Sequence, residues 1–142
     1  MTPAARQAAA ILVLDRWLAG QPVEAALTQW ARASRFAGSG DREAVRDLAF
    51  RAVRQRRSLT ALGGAESGRA LLIGMARADG IVPGWTGEGH GPASLTAEEV
   101  ALIAAPLPAF GRGEALDCPD WLLPHLDAAL GAQADAVLTR PE

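Results

Sequence analysis

Apolar residues in this chain recur every three or four positions, the spacing that puts them on one side of an α-helix. Ala8, Ile11, Leu14 and Leu18 do so in a first segment, opened by Thr2-Pro3 and closed by Gly20, and Trp17 widens the stripe. Threonine suits the N-cap. Proline suits the first helical position, where its missing N–H would have no partner. Pro22 opens a second helix with Ala26, Leu27, Trp30 and Ala31 on one face. Glu66-Ser67 start another, ended by Asp79-Gly80, whose run Ala70, Leu71, Ile73, Gly74, Met75 is apolar enough to predict a place near the centre of the core. Gly74 would let a neighbouring helix approach closely, at a cost of about 1 kcal/mol relative to alanine. Thr96, followed by Glu98 and Glu99, caps a helix through Val100, Leu102 and Ile103 that Pro106 and Pro108 stop. Beyond a linker reaching Pro119, Asp120 caps Trp121, Leu122, Leu126 and Leu130; Pro124 is tolerated in the first turn, and Gly131 ends the helix. Residues 134–138 predict one more turn or two. No stretch alternates apolar and polar residues, so the pattern predicts an all-α bundle of about six to seven helices with no sheet.

The middle of the chain carries the strongest pattern. Residues 41–62 predict a single helix of 22 residues, capped by Asp41 and ended at Gly63-Gly64; it would be about 33 Å long. Val45, Leu48, Ala52 and Leu59 project onto one arc of about 60°, a core-facing stripe. Arg42, Arg46, Arg54 and Arg57 project onto another arc, Arg51 lies between, and Arg56 sits at the apolar edge, its stem packed and its head in solvent. Glu43 and Asp47 can pair with Arg46 and Arg51 at helical spacing. Phe50 falls among the arginines. It is either an aromatic platform of the kind single-strand nucleic-acid binders use or part of a second buried face.

Charge sharpens this picture. All fourteen basic residues are arginine, and the formal net charge of −2 hides an asymmetry. Residues 1–80 hold twelve arginines against seven acids, and residues 81–142 two against nine. A polyanion would dock on the first part, unless the acidic part folds back and screens it. Arg32 and Arg35 at the end of the second helix are explained equally by the helix dipole or by a ligand role. The single cysteine, Cys118, excludes an internal disulfide. It points to a reducing compartment, and the seven-residue apolar run at 8–14 is too short to span a bilayer. The expected location is the cytoplasm, with no membrane partner.

Candidate chemistry is sparse. Residues 81–95, IVPGWTGEGHGPASL, read as a loop pinned by Trp85. GEGHG is not a phosphate-binding loop, since no strand precedes it and no Lys-Ser/Thr follows. His90 has no second ligand at metal spacing, and His125 lies in a different segment. Cys118 has no adjacent base to lower its pKa. No catalytic residue, metal site or cofactor site can be assembled from this chain.

Read in order, Ala4-Ala5-Arg6, Ala9-Ala10 and Val13-Leu14, then Asp41-Arg42, Val45, Leu48-Ala49-Phe50 and Val53-Arg54, are similar to the N-terminal domain of bacterial ribosomal RNA cytosine-5 methyltransferases of the Sun/Fmu family. That domain resembles the antitermination factor NusB. Cys118-Pro119-Asp120-Trp121-Leu122 is similar to the Pro-x-Trp-Leu element that follows it. The resemblance covers residues 1–80 and 117–130; Arg51 stands where the family has glycine, and residues 81–95 have no counterpart. It implies a NusB-like helical RNA-binding domain over 1–116 and a helical linker over 117–142. A catalytic domain binding S-adenosylmethionine would follow and is expected to be missing from this chain. The expected partners are ribosomal RNA and that catalytic domain. The RNA-contacting residues would be Arg42, Arg46, Arg54 and Arg57, then Arg32, Arg35 and Arg51. The rival expectations are a protein-interaction module docking the catalytic domain or a ribosomal protein, and a free-standing antitermination factor.

Overall fold

The computed structural model describes residues 1–107; the segments expected to be helical at 120–130 and 134–138, the linker, Cys118 and His125 lie outside them. The described residues form six α-helices and no strand: α1 (Pro3–Leu18), α2 (Val23–Ala33), α3 (Ser39–Arg54), α4 (Arg56–Gly63), α5 (Gly68–Asp79) and α6 (Ala97–Ala104). The all-α expectation holds. Most ends fall where local chemistry put them. The hydroxyls of Thr2, Ser67 and Thr96 accept from Ala5, Ala70 and Glu99 N–H groups at 3.1 Å each, filling donors that a helix start leaves open. Glu99 returns a bond from its carboxylate to the Thr96 N–H at 2.9 Å. Gly64 and Gly80 take left-handed conformations (φ 82° and 70°) that close α4 and α5.

The expected 22-residue helix is not continuous. It breaks at Gln55 (φ −111°, ψ 25°), which ends α3 and begins α4. Its N–H still donates to Arg51 O, and its carbonyl accepts from Leu59 N, both at 2.9 Å, so the turn leaves these backbone groups satisfied. The break lets α4 lie along α5, the most extensive helix pair in the fold. There the backbones touch. A methyl on Gly63 would sit 1.9 Å from Ala70 O, and one on Gly74 would sit 2.4 Å from Leu59 O. The start of α3 also moves: Gly38 takes the N-cap, and Asp41, expected there, lies in the first turn. Asp41 is buried and accepts from Gly38 N at 3.0 Å and Arg6 Nε at 2.9 Å, with the Met1 ammonium 3.4 Å away. The Gly38 N–H and then Arg6 hold its carboxyl below the ordinary range.

α1 packs against α2, α3 and α5. Val13 and Leu14 of α1 meet Val45 of α3, Leu59 of α4 and Leu71 and Ile73 of α5 in a fully buried core. α5 is buried at every position from Ala70 to Arg77, as its composition predicts. Arg77 itself, 7% exposed, donates through Nη1 to Leu62 O at 2.8 Å. Through Nη2 it donates to Ala105 O and Pro106 O, at 3.2 and 2.9 Å. One guanidinium thus satisfies carbonyls near the ends of both α4 and α6, which a helix C-terminus leaves without partners. Trp85 is buried against the bundle with its indole N–H on Gln7 Oε1.

The glycine contact should be intolerant of even a methyl. Gly74→Ala is expected to lower unfolding free energy by about 1–3 kcal/mol. Gly40→Ala, with nothing within 4 Å of the added carbon, should be neutral or stabilising by up to about 1 kcal/mol; urea titrations of both variants check the contrast. A second expectation concerns pH. Arg69, bonded to Glu99 at 2.7 and 2.8 Å, and the Thr96 N–H hold the Glu99 carboxyl at about 2, against an ordinary 4.5. The unfolded chain therefore takes up this proton first, so the stability contributed is complete above about pH 4.5 and is lost as pH falls towards 2. Thermal melts should show Tm falling through that window, and Glu99→Gln should make the fall shallower while lowering Tm at neutral pH.

Candidate nucleic-acid interface

Helix α3 places Arg42, Arg46, Phe50 and Arg54 at intervals of four residues. Each interval advances about 6 Å along the axis and about 40° around it, so the four form one gently spiralling row of about 18 Å. Arg42 and Arg54 are exposed, and neither has an ion-pair or hydrogen-bond partner among the described residues. The same holds for Arg32, in the last turn of α2, and Arg35, in the five-residue connection that leads into α3. Arg32 and Arg35 precede the start of α3 by seven and four residues in the chain. Phe50 packs in part on the core, as the second of its expected roles has it. It is half-buried against the core, and the Arg46 guanidinium lies over its ring, 4.8 Å from the centroid.

Arg46 and Arg51 are engaged by acids of neighbouring helices rather than by acids of their own. Arg46 donates to both oxygens of Glu24 on α2, one bond at 3.0 Å, in place of a pair with Glu43. The bond favours the charged form of each partner: it holds Glu24 below its ordinary value and raises Arg46. The Arg46 side chain remains half exposed, and solvent screening leaves an exposed pair of this kind contributing little. Arg51 is more firmly committed. Its two terminal nitrogens meet the two oxygens of Asp79 on α5 at 2.8 Å each, its Nε meets Gln55 at 3.1 Å, and its side chain is 28% exposed. Arg51 thus serves as an α3–α5 strut. Arg57, at the start of α4, is half-buried and has contacts of its own. The Arg56 guanidinium, expected to lie free in solvent, stacks over the Trp17 ring at 5.0 Å and bonds Glu66, while the side chain stays 43% exposed.

Of the acids that pair with arginines here, Glu24, Asp41, Glu66 and Asp79 belong to residues 1–80 and Glu99 to the later part. Arg42 and Arg46 border a groove of about 440 Å³ between α2 and α3, with Leu27, Trp30 and Ala31 in its lining and Glu24 and Glu43 beside them. Phe36 carried no expectation, and His90 was expected only as a loop residue. Phe36 is 66% exposed, and its ring stacks on His90 of the 81–95 loop at 5.9 Å. A large aromatic beside an arginine, off both helix stripes, was the available signal.

Among the described residues no three His, Cys, Asp or Glu side chains gather into a group that could hold a metal ion, and no helix is long and apolar enough to cross a membrane. The chain matches no family model, no curated protein and no solved structure.

If the unpartnered arginines are held for a ligand and not for the fold, truncating them should leave the fold untouched. Arg42→Ala and Arg54→Ala should change unfolding free energy by no more than about 0.5 kcal/mol. Arg77→Met, which strands buried carbonyls, should cost about 2–4 kcal/mol; denaturant unfolding of the three variants separates the two classes.

Proposed function

We propose that this bundle is an RNA-binding domain of the NusB-like kind, part of an S-adenosylmethionine-dependent ribosomal RNA cytosine-5 methyltransferase. Its task would be to hold unpaired RNA while a separate catalytic domain methylates it. The observation that carries this reading is the row on α3: arginines at four-residue intervals around a half-buried aromatic, with Arg42 and Arg54 exposed and unpartnered among the described residues, as are Arg32 and Arg35 just before α3 in the chain. Planar guanidinium forks suit phosphate oxygens, and an arginine left in water loses little on meeting one. Arg46 can exchange Glu24 for a phosphate because the existing pair is exposed. Arg51, tied to Asp79, supports the surface and does not meet RNA.

A second reading is favoured by a separate feature. Ile81, Val82, Val100 and Leu107 are all more than half exposed, and they lie on α6 or in the chain just after α5 and α6. Apolar exposure of this kind suits docking to another protein or to the catalytic domain.

Binding of an unpaired ribosomal RNA fragment to the 142-residue chain, followed by fluorescence anisotropy from low to moderate salt, tests the first reading. Four phosphate contacts on a single strand predict a log–log slope of about −3. Replacing both Arg42 and Arg54 with glutamate should abolish that binding with the fold retained. A flat salt response, or an unchanged affinity in the double variant, would remove RNA binding by this face and leave protein docking as the function.

A further inference from the structure

Phe36 is the most exposed aromatic described in the bundle, and the fold holds it there with some rigidity. Its neighbours anchor the α2–α3 connection: Ser34 and Ala37 are buried, Ala37 N donates to Ser34 O at 3.0 Å, and Gly38 N is bonded to Asp41. The ring is therefore not a core residue that strayed outward; the residues on either side of it carry the packing. The ring opposite belongs to a second braced turn. Gly87 and Gly89 adopt positive φ (76° and 58°), Gly87 N donates to Pro92 O at 3.1 Å, and Gly91 N donates to Glu88 O at 3.3 Å. Gly91 lies against Ala4 of α1, where even a methyl would come within 3.0 Å of the Ala4 methyl. GEGHG thus has a structural purpose: it lays His90 beside Phe36, with the two ring planes 22° apart. Between the turn and the start of α1 lies a groove of about 530 Å³, lined by Met1, Ala4 and Ala5 along with the two rings, with Thr2, Thr86 and Glu88 as its polar members. That is the size and mixed character of a site for a small planar group.

We propose that Phe36, backed by His90, is a stacking platform for one unpaired nucleobase of the RNA whose phosphates the neighbouring arginines hold. The proposal rests on the RNA-binding reading and adds to it a site for a base. Arg35 immediately precedes Phe36, and Arg42 follows within six residues, so a strand tracked by these guanidiniums passes the ring. Stacking requires only a π-face, which every base presents, whereas Glu88 at the groove disfavours a phosphate there and turns the backbone outward to the arginines.

The test uses the 142-residue chain and a short single-stranded RNA carrying one 2-aminopurine, whose fluorescence is quenched when it stacks. Affinity and quenching are measured against salt for the wild type, Phe36→Leu, Phe36→Trp and His90→Ala. Phe36→Leu keeps an apolar side chain and removes the ring. It should weaken binding by about 5- to 150-fold, the range that one stacked base spans, lose the quenching and keep the salt slope. Phe36→Trp should retain both affinity and quenching, and His90→Ala should reduce the quenching. Wild-type affinity and quenching in Phe36→Leu would overturn the platform while leaving arginine-mediated RNA binding intact. No RNA binding by the wild-type chain at any salt would overturn both.

Discussion

The contact between the backbones of α4 and α5 constrains everything around it. Gly63 and Gly74 each face a carbonyl of the other helix at a distance that admits no side chain. Two helices approach this closely only when one can be steered into place, and the steering is done by the break at Gln55. A straight 22-residue helix would fix the direction of residues 56–62 by that of residues 41–54. Breaking it lets Leu59 and Leu62 be buried against α5 while α3 keeps its own contact with α1. α5 then fills the centre, and Arg77 near its end can reach the Leu62 carbonyl in the last turn of α4 and those of Ala105 and Pro106 just past α6.

The same break divides the arginines. Arg56 turns away from the α3 row and lies on Trp17, bonded to Glu66. Arg57 follows it onto α4. What remains on α3 is a simpler surface, Arg42, Arg46 and Arg54 with Phe50 between them, and Arg51 pulled across to α5 by Asp79. A chain whose cations are all arginine uses one side-chain type in three ways. Arg77 is buried among carbonyls. Arg6, Arg51 and Arg69 bridge helices or the chain start through carboxylates. Arg32, Arg35, Arg42 and Arg54 stay in solvent. The guanidinium permits all three because it is planar, permanently charged and able to donate in several directions. The third group has its donors directly available to a ligand, and Arg46 can free its own by giving up the exposed pair with Glu24.

Features that depend on a few consecutive residues were legible in the amino-acid order. The caps at Thr2, Ser67 and Thr96, the closing role of Gly80, the apolar stripe of α1 and the deeply apolar α5 all follow from local chemistry, because a helix end is satisfied by residues three or four positions away. So was the close approach at Gly74, which an isolated glycine in an apolar helix announces. The arginine row on α3 was visible for the same reason, since helical geometry alone projects it onto one face.

Tertiary structure decided whatever required choosing between distant partners. Glu43 and Asp47 were within reach of Arg46 and Arg51, yet Glu24 and Asp79 took them, because neighbouring helices present carboxylates that meet both ends of a guanidinium fork. The break at Gln55 carries no proline or glycine to mark it; it follows from what α5 needs of α4. The stacking of Phe36 on His90 joins residues fifty-four positions apart, and no periodicity connects a helix connector to a glycine-rich loop. Local order set which segments are helical and which residues sit on their faces, since backbone hydrogen bonding is a short-range choice. Packing alone assigned each charged or aromatic group its partner, since that depends on which surfaces the collapsed chain brings together.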